Sequence, residues 1–156
     1  MPIKFVIFYL MKVLLALDGA LPERHLPNFN YDQLIAVDGA AIYLNNLGLI
    51  PNVIIGDLDK LETSTKKLKS SVNEIFLHST ILKIAEQSST DFEKSLHFLL
   101  KEKPQEVLII GMLGNEIDHS MHNLRLFAEF SQKLNLNFYH DQGTPLPQWG
   151  FCLKGK

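Results

Sequence analysis

Short apolar runs with β-prone composition alternate along this chain with longer segments of helical spacing, and that alternation decides the fold class. The β-prone runs are Val13 to Leu17, Leu34 to Val37, Val53 to Ile55, Glu74 to Leu77, Val107 to Ile110 and Asn137 to Tyr139. Helical spacing covers Ala40 to Leu47, Ser64 to Lys69, Thr90 to Lys101 and Asp118 to Leu134. Strands that are apolar throughout bury both faces, and strands separated by helices pair in parallel. The sequence therefore predicts an α/β protein with a three-layer parallel sheet and helices on both faces. A chain of 156 residues, 46% hydrophobic, suits one domain with a sizeable core.

In such a sheet ligands bind beyond the carboxyl ends of the strands, and the polar clusters of this sequence fall there. "DGA" follows the first run, "DGAA" follows "LIAV", "GDLD" follows "VII", and "GMLGNEIDH" follows "VLII". Each cluster alone is ordinary turn chemistry. Four of them delivered to one sheet edge predict a site.

The segment "VIIGDLDK" is the most pointed of the four. If the strand continues through it, Asp57 and Asp59 share one face about 7 Å apart. Two unit charges at that distance repel by roughly 2 to 3 kcal/mol at an effective dielectric near 20. A cation is expected between them, and magnesium suits a carboxylate pair together with substrate phosphates. Further acids stand at two helix starts, Asp91 in "EQSSTDFEKSL" and Asp118 in "GMLGNEIDHSMHN". Acids in a first helical turn also stabilise the helix dipole, so their spacing alone does not assign a role. Gly111 and Gly114 permit close backbone approach to a ligand. His119 and Asn123 lie one helical turn apart and either line a pocket or decorate a helix face.

Charge and composition narrow the partners. A net charge of −2 removes the electrostatic case for nucleic-acid binding, and the only arginines are Arg24 and Arg125. The single Cys152 cannot form an intramolecular disulfide. The apolar opening "IKFVIFYLMKVLLAL" is split by Lys12, and neither half reaches the roughly 20 residues that span a bilayer. Its second half runs into "DGALP" and reads as a strand and turn rather than an export signal, with Met11 a possible natural start.

Taken in order, "VDGAAIYL", "PNVIIGDLDK", "EQSSTDFEKSL" and "GMLGNEIDHSMHNL" resemble the catalytic domain of the thiamine pyrophosphokinase family. The resemblance implies transfer of a diphosphate group from ATP to the hydroxyl of thiamine, with Mg2+, giving thiamine diphosphate and AMP. It implies a Rossmann-like nucleotide-binding domain followed by a smaller β domain, a homodimer and a cytoplasmic location. On this basis the catalytic set is Asp57, Asp59, Asp91 and Asp118, with Asp57, Asp59 and Asp91 at the metal. Asp38, Gly39, Gln87, Thr90, Gly111, Gly114, His119 and Asn123 match positions around nucleotide and substrate. The domain division is 1–140 for the catalytic domain and 141–156 for the start of a shortened β domain, with "WGFCLKGK" as an unpaired first strand.

Three departures from the family pattern stand out. Ala40 and Ile42 replace a glycine and an asparagine in "DGGAN". Glu116 occupies the place of the arginine in "GGRxDH", with Lys60 or Arg125 as substitutes for the lost phosphate partner. The β domain is barely begun. These departures leave two further expectations, a nucleotide-binding remnant without turnover and a diphosphokinase for another alcohol such as a pterin.

Overall fold

The computed structural model describes residues 10–114 and 116–140, together with the backbone of 153–154. In chain order the elements are β1 (Lys12–Ala16), β2 (Gln33–Val37), α1 (Ala40–Asn46), β3 (Val53–Gly56), α2 (Asp59–Lys67), α3 (Val72–Ile75), β4 (Thr80–Lys83), α4 (Asp91–Glu102), β5 (Glu106–Ile110), α5 (Ile117–Phe130), β6 (Leu136–Tyr139) and β7 (Leu153–Lys154). The sheet order is β4-β3-β2-β1-β5-β6-β7. All pairings are parallel except that of β6 with β7.

The continuous apolar character of the strands follows from covering both faces. Along β1, Val13 and Leu15 pack with Phe92, Leu96 and Leu99 of α4 and Leu126 and Phe127 of α5. Leu14 and Ala16 point the other way, into Ala40, Ala41 and Leu44 of α1 and Leu61 of α2. The period-2 alternation of a strand thus feeds two separate cores. The chain winds outward from β1 to β4 on one side, then crosses by α4 to β5 on the other. The resulting switch point lies between β1 and β5, where a crevice opens at the carboxyl edge.

Three element predictions are corrected. Glu74 to Leu77 is not a strand, because Ser71 and Glu74 form a capping box that starts α3. The Ser71 hydroxyl accepts from the Glu74 N–H at 3.2 Å, and the Glu74 carboxylate accepts from the Ser71 N–H at 2.8 Å. The fourth strand is instead Thr80–Lys83 at the sheet edge, pairing with β3. Helix α2 begins at Asp59, earlier than Ser64, because Leu58 takes a left-handed conformation (φ 69°) and ends the extended segment. Asp57 and Asp59 therefore do not share a strand face. The predicted unpaired end is also revised at Leu153–Lys154, which lies antiparallel to β6 with Phe138 opposite Leu153. Trp149 and Phe151 lie outside the described residues.

Candidate active site

The site grows from two strand ends and one helix start. Beyond β2, Asp38 has φ 44° and is only 5% exposed. Its backbone N–H donates to the Ile55 carbonyl at 3.0 Å, which ties the end of β2 to β3. Its Oδ1 accepts from the Leu61 N–H at 3.0 Å and its Oδ2 from the Lys60 N–H at 3.4 Å. Helix α2 has Leu58 at its N-cap, a side chain with no acceptor, so Asp38 supplies from another strand what the local sequence lacks. Burial pushes the Asp38 carboxyl above the usual carboxylate range. The N–H groups of Leu61 and Lys60 oppose that shift, while Asp91 and Asp57 add to it.

Beyond β3, Gly56 has φ 144°, and a Cβ built there would stand 2.8 Å from Oδ2 of Asp91. Only glycine lets that carboxylate lie against the strand end. Asp57 follows, its Oδ1 accepting from the Asp59 N–H at 3.2 Å.

The acid from α4 is placed by its cap. Thr90 at the N-cap accepts from the Glu93 N–H at 3.2 Å, and Asp91 opens the first turn. One turn on, Lys94 is almost wholly buried, its side chain 4% exposed. Its ammonium donates to Oδ1 of Asp91 and to the Ile84 carbonyl, both at 2.9 Å. The preceding loop is ordered by Glu86, which accepts from both hydroxyls of Ser88 and Ser89 and from the Ser89 N–H at 2.8 Å. Those hydroxyl bonds hold the Glu86 carboxyl down at about 2.

Asp38, Asp57 and Asp91 thereby present carboxylate oxygens within 4.8 Å of one another. Three hard oxygen donors so spaced fit a divalent ion such as magnesium. They lie in a cleft of about 610 Å³ whose other walls include Gln87, Thr90, Gly111, His119 and Asn123. The Asn123 amide donates to the Met112 carbonyl at 2.8 Å, holding the loop after β5 onto α5. That loop approaches the one after β1 so closely that a Cβ on Gly19 would lie 2.2 Å from the Gly111 carbonyl oxygen. On the cleft wall the Nε2 of His122 is buried without a hydrogen-bond partner among the described residues.

The sequence-predicted residues do not all converge. Asp59 lines the cleft but is outside the acid triplet, and Asp38 takes its place there. Asp118 is exposed in the first turn of α5 and is not part of the cleft wall, its Oδ1 accepting from the His119 N–H at 2.9 Å. Gly114 is likewise off the wall, and Gly39 lines an adjoining recess. Glu116 is an exposed N-cap residue of α5. Arg125 pairs with Glu129 at 2.8 Å on the outer face of α5, whereas Lys60 does reach the cleft. Sequence reasoning missed Lys94 and Asp18. The spacing of Asp91 and Lys94, three apart at a helix start, was the signal for the first. The repeat of "DGA" at 18–20 and 38–40 was the signal for the second.

A family model described as "Thiamin pyrophosphokinase, catalytic domain" matches residues 28–139. The chain belongs to this thiamin pyrophosphokinase family. It is 27% identical over 93 residues to thiamine pyrophosphokinase of Bacillus subtilis, covering 59% of this chain and 41% of that protein. It is 28% identical over 87 residues to thiamine pyrophosphokinase 1 of rice, covering 52% and 31%. Among solved structures it resembles the Bacillus subtilis thiamine pyrophosphokinase with a TM-score of 0.67 at 19% identity, over 82% of this chain and 60% of that one. The chain thus spans less than half the length of the curated relatives it matches, and the likeness to the solved structure is one of α/β fold.

Proposed function

We propose that this chain carries the catalytic domain of a magnesium-dependent thiamine pyrophosphokinase. The reaction is transfer of a diphosphoryl group from ATP to the hydroxyl of thiamine, giving thiamine diphosphate and AMP. The observation that carries the reading is the convergence of Asp38, Asp57 and Asp91 inside a domain that the family model matches. The acceptor oxygen forms a bond to the β-phosphorus, and the bond from that phosphorus to the AMP oxygen breaks. The alcohol proton leaves with solvent or a cleft carboxylate. When bound, magnesium supplies charge neutralisation on the transferred phosphates and on departing AMP.

The chain's own residues supply position. Asp38, Asp57 and Asp91 would hold the magnesium ion through their carboxylate oxygens. Lys94 fixes one oxygen of Asp91, leaving the other turned toward Gly56 and the cleft. The Asp59 N–H steadies Asp57. Thr90, Gln87, His119 and Asn123 line the space in which nucleotide and acceptor meet. A homodimer, a cytoplasmic setting and a domain limit near residue 140 belong to the same reading. The family resemblance supports all three, and the end of the family match at Tyr139 supports the last.

The test is AMP release from ATP and magnesium with and without thiamine, comparing the chain with Asp57→Asn and Asp91→Asn. Thiamine-dependent release that falls at least about 100-fold in either variant supports the reading. ATP binding with no thiamine-dependent release favours the second reading, a nucleotide-binding relative without turnover, to which Glu116 in place of arginine points.

A further inference from the structure

Two imidazoles of α5, His119 and His122, line the acidic cleft. His119 is exposed, whereas His122 is half-buried three residues further into the helix. The Nε2 of His122 is closed to solvent and has no hydrogen-bond partner among the described residues. A buried ring nitrogen gives up its bonds to water, and proteins rarely leave that loss uncompensated. The rest of this wall does not compensate it. Phe92 and Met112 are buried apolar side chains, and the amide of Asn123, next to His122, is committed to the Met112 carbonyl. A group that enters the cleft can supply the missing partner.

An alcohol acceptor loses a proton as its oxygen bonds to phosphorus, and the acids of the cleft are poorly suited to take it. Asp38, Asp57 and Asp91 fit a metal ion, whose charge makes carboxylate oxygens weak bases. Asp18 is paired with Lys60 at 2.6 Å, and Glu93 stands 3.9 Å from Nε2 of His97. Asp59 is exposed at the start of α2, and Asp118, one turn before His122, is exposed off the cleft wall. The ammonium of Lys94 already donates to Asp91 and to the Ile84 carbonyl. Imidazole is the side chain suited to accept a proton near neutral pH and to release it again. Of the two on the wall, His122 is the one whose Nε2 is shielded from water.

We propose that His122 is the general base of the diphosphoryl transfer, its Nε2 taking the proton of the acceptor hydroxyl. The inference rests on the reading of the acidic cleft as a diphosphotransfer site. A turn of the half-buried ring about its Cβ–Cγ bond carries Nε2 from its closed position toward the cleft. As the proton passes to Nε2, the hydroxyl oxygen forms its bond to the β-phosphorus, and the electron pair of the bond to the AMP oxygen leaves with AMP. The imidazolium then gives the proton to solvent as the products depart. The alcohol proton thus reaches solvent by way of a histidine.

The experiment follows thiamine-dependent AMP release across pH for the chain, for His122→Gln, which keeps a polar group and loses the base, and for His122→Ala with and without added imidazole. MgATP binding to each is measured by calorimetry. The expected result is a fall in kcat of about 100-fold for His122→Gln, with MgATP affinity changed by less than about twofold. The ratio of wild-type to His122→Gln turnover should rise with pH to a plateau, because only the neutral imidazole accepts a proton. Imidazole should restore part of the turnover of His122→Ala, a rescue that a purely structural role does not give. Turnover of His122→Gln within about threefold of the wild type overturns the inference and leaves the diphosphotransfer reading intact. A loss that is constant with pH, or that imidazole does not relieve, also overturns it, since His122 then acts by packing. Absence of thiamine-dependent AMP release from the unaltered chain overturns the inference and the diphosphotransfer reading together.

Discussion

Asp38 performs two tasks that pull in opposite directions. It caps α2 as an acceptor and contributes charge to an acid triplet, while burial holds its carboxyl above the ordinary range. Between the ordinary and the raised value the folded chain binds more protons than the unfolded one. Stability without metal therefore declines as pH rises through that window. We predict that thermal melts in chelator show this decline for the wild type and not for Asp38→Asn, which keeps an acceptor for the Leu61 N–H and loses the charge. Lys94 gives a second prediction at this scale. Replacing a buried ammonium by methionine leaves Asp91 without its partner and the triplet more negative. Lys94→Met is expected to cost about 1 to 3 kcal/mol without metal, with a larger magnesium-induced rise in melting temperature than the wild type shows. An unchanged magnesium response would mean that Lys94 does not act on the triplet.

Among the elements, α2 and α3 show how capping settles where helices begin. The α3 capping box of Ser71 and Glu74 overrides the β-prone look of "EIFL". Ser71→Ala is expected to cost about 1 kcal/mol in denaturant unfolding, with little effect on the cleft about the carboxyl edge. Gly56→Ala acts differently, because the added methyl meets Asp91 at 2.8 Å and the backbone has φ 144°. It is expected to destabilise the chain and to displace Asp91, so that metal binding falls more than Ser71→Ala lowers it. The element boundaries were legible where pattern was strong: β1, β2, β3, β5 and β6 fall within a residue or so of the apolar runs. They failed where one cap or one left-handed residue decides. Leu58 is such a residue, and nothing in "GDLDK" announces that the chain leaves the sheet before Asp59. That single turn moves Asp59 onto a helix and lets Asp38, from the neighbouring strand, complete the triplet.

The described residues form a sheet with two apolar faces, and the acidic cleft spans its carboxyl edge from the ends of β2 and β3 to the β1–β5 reversal of the winding. Leu96 is fully buried among the strands and α5. Leu96→Ala should cost about 2 to 5 kcal/mol, read as a shift in denaturant midpoint. Layer order and the location of the site at the carboxyl edge followed from strand pattern alone. The identity of the triplet did not, because it depends on contacts between residues 19 and 34 positions apart in sequence. The central claim, that Asp38, Asp57 and Asp91 form the metal site, is tested most directly by titrating manganese into the chain and its single Asp→Asn variants, with free ion followed by electron paramagnetic resonance. The account predicts one bound-ion site that Asp38→Asn, Asp57→Asn and Asp91→Asn each weaken and that Asp59→Asn retains. Loss of the site in Asp59→Asn with retention in Asp38→Asn would contradict it.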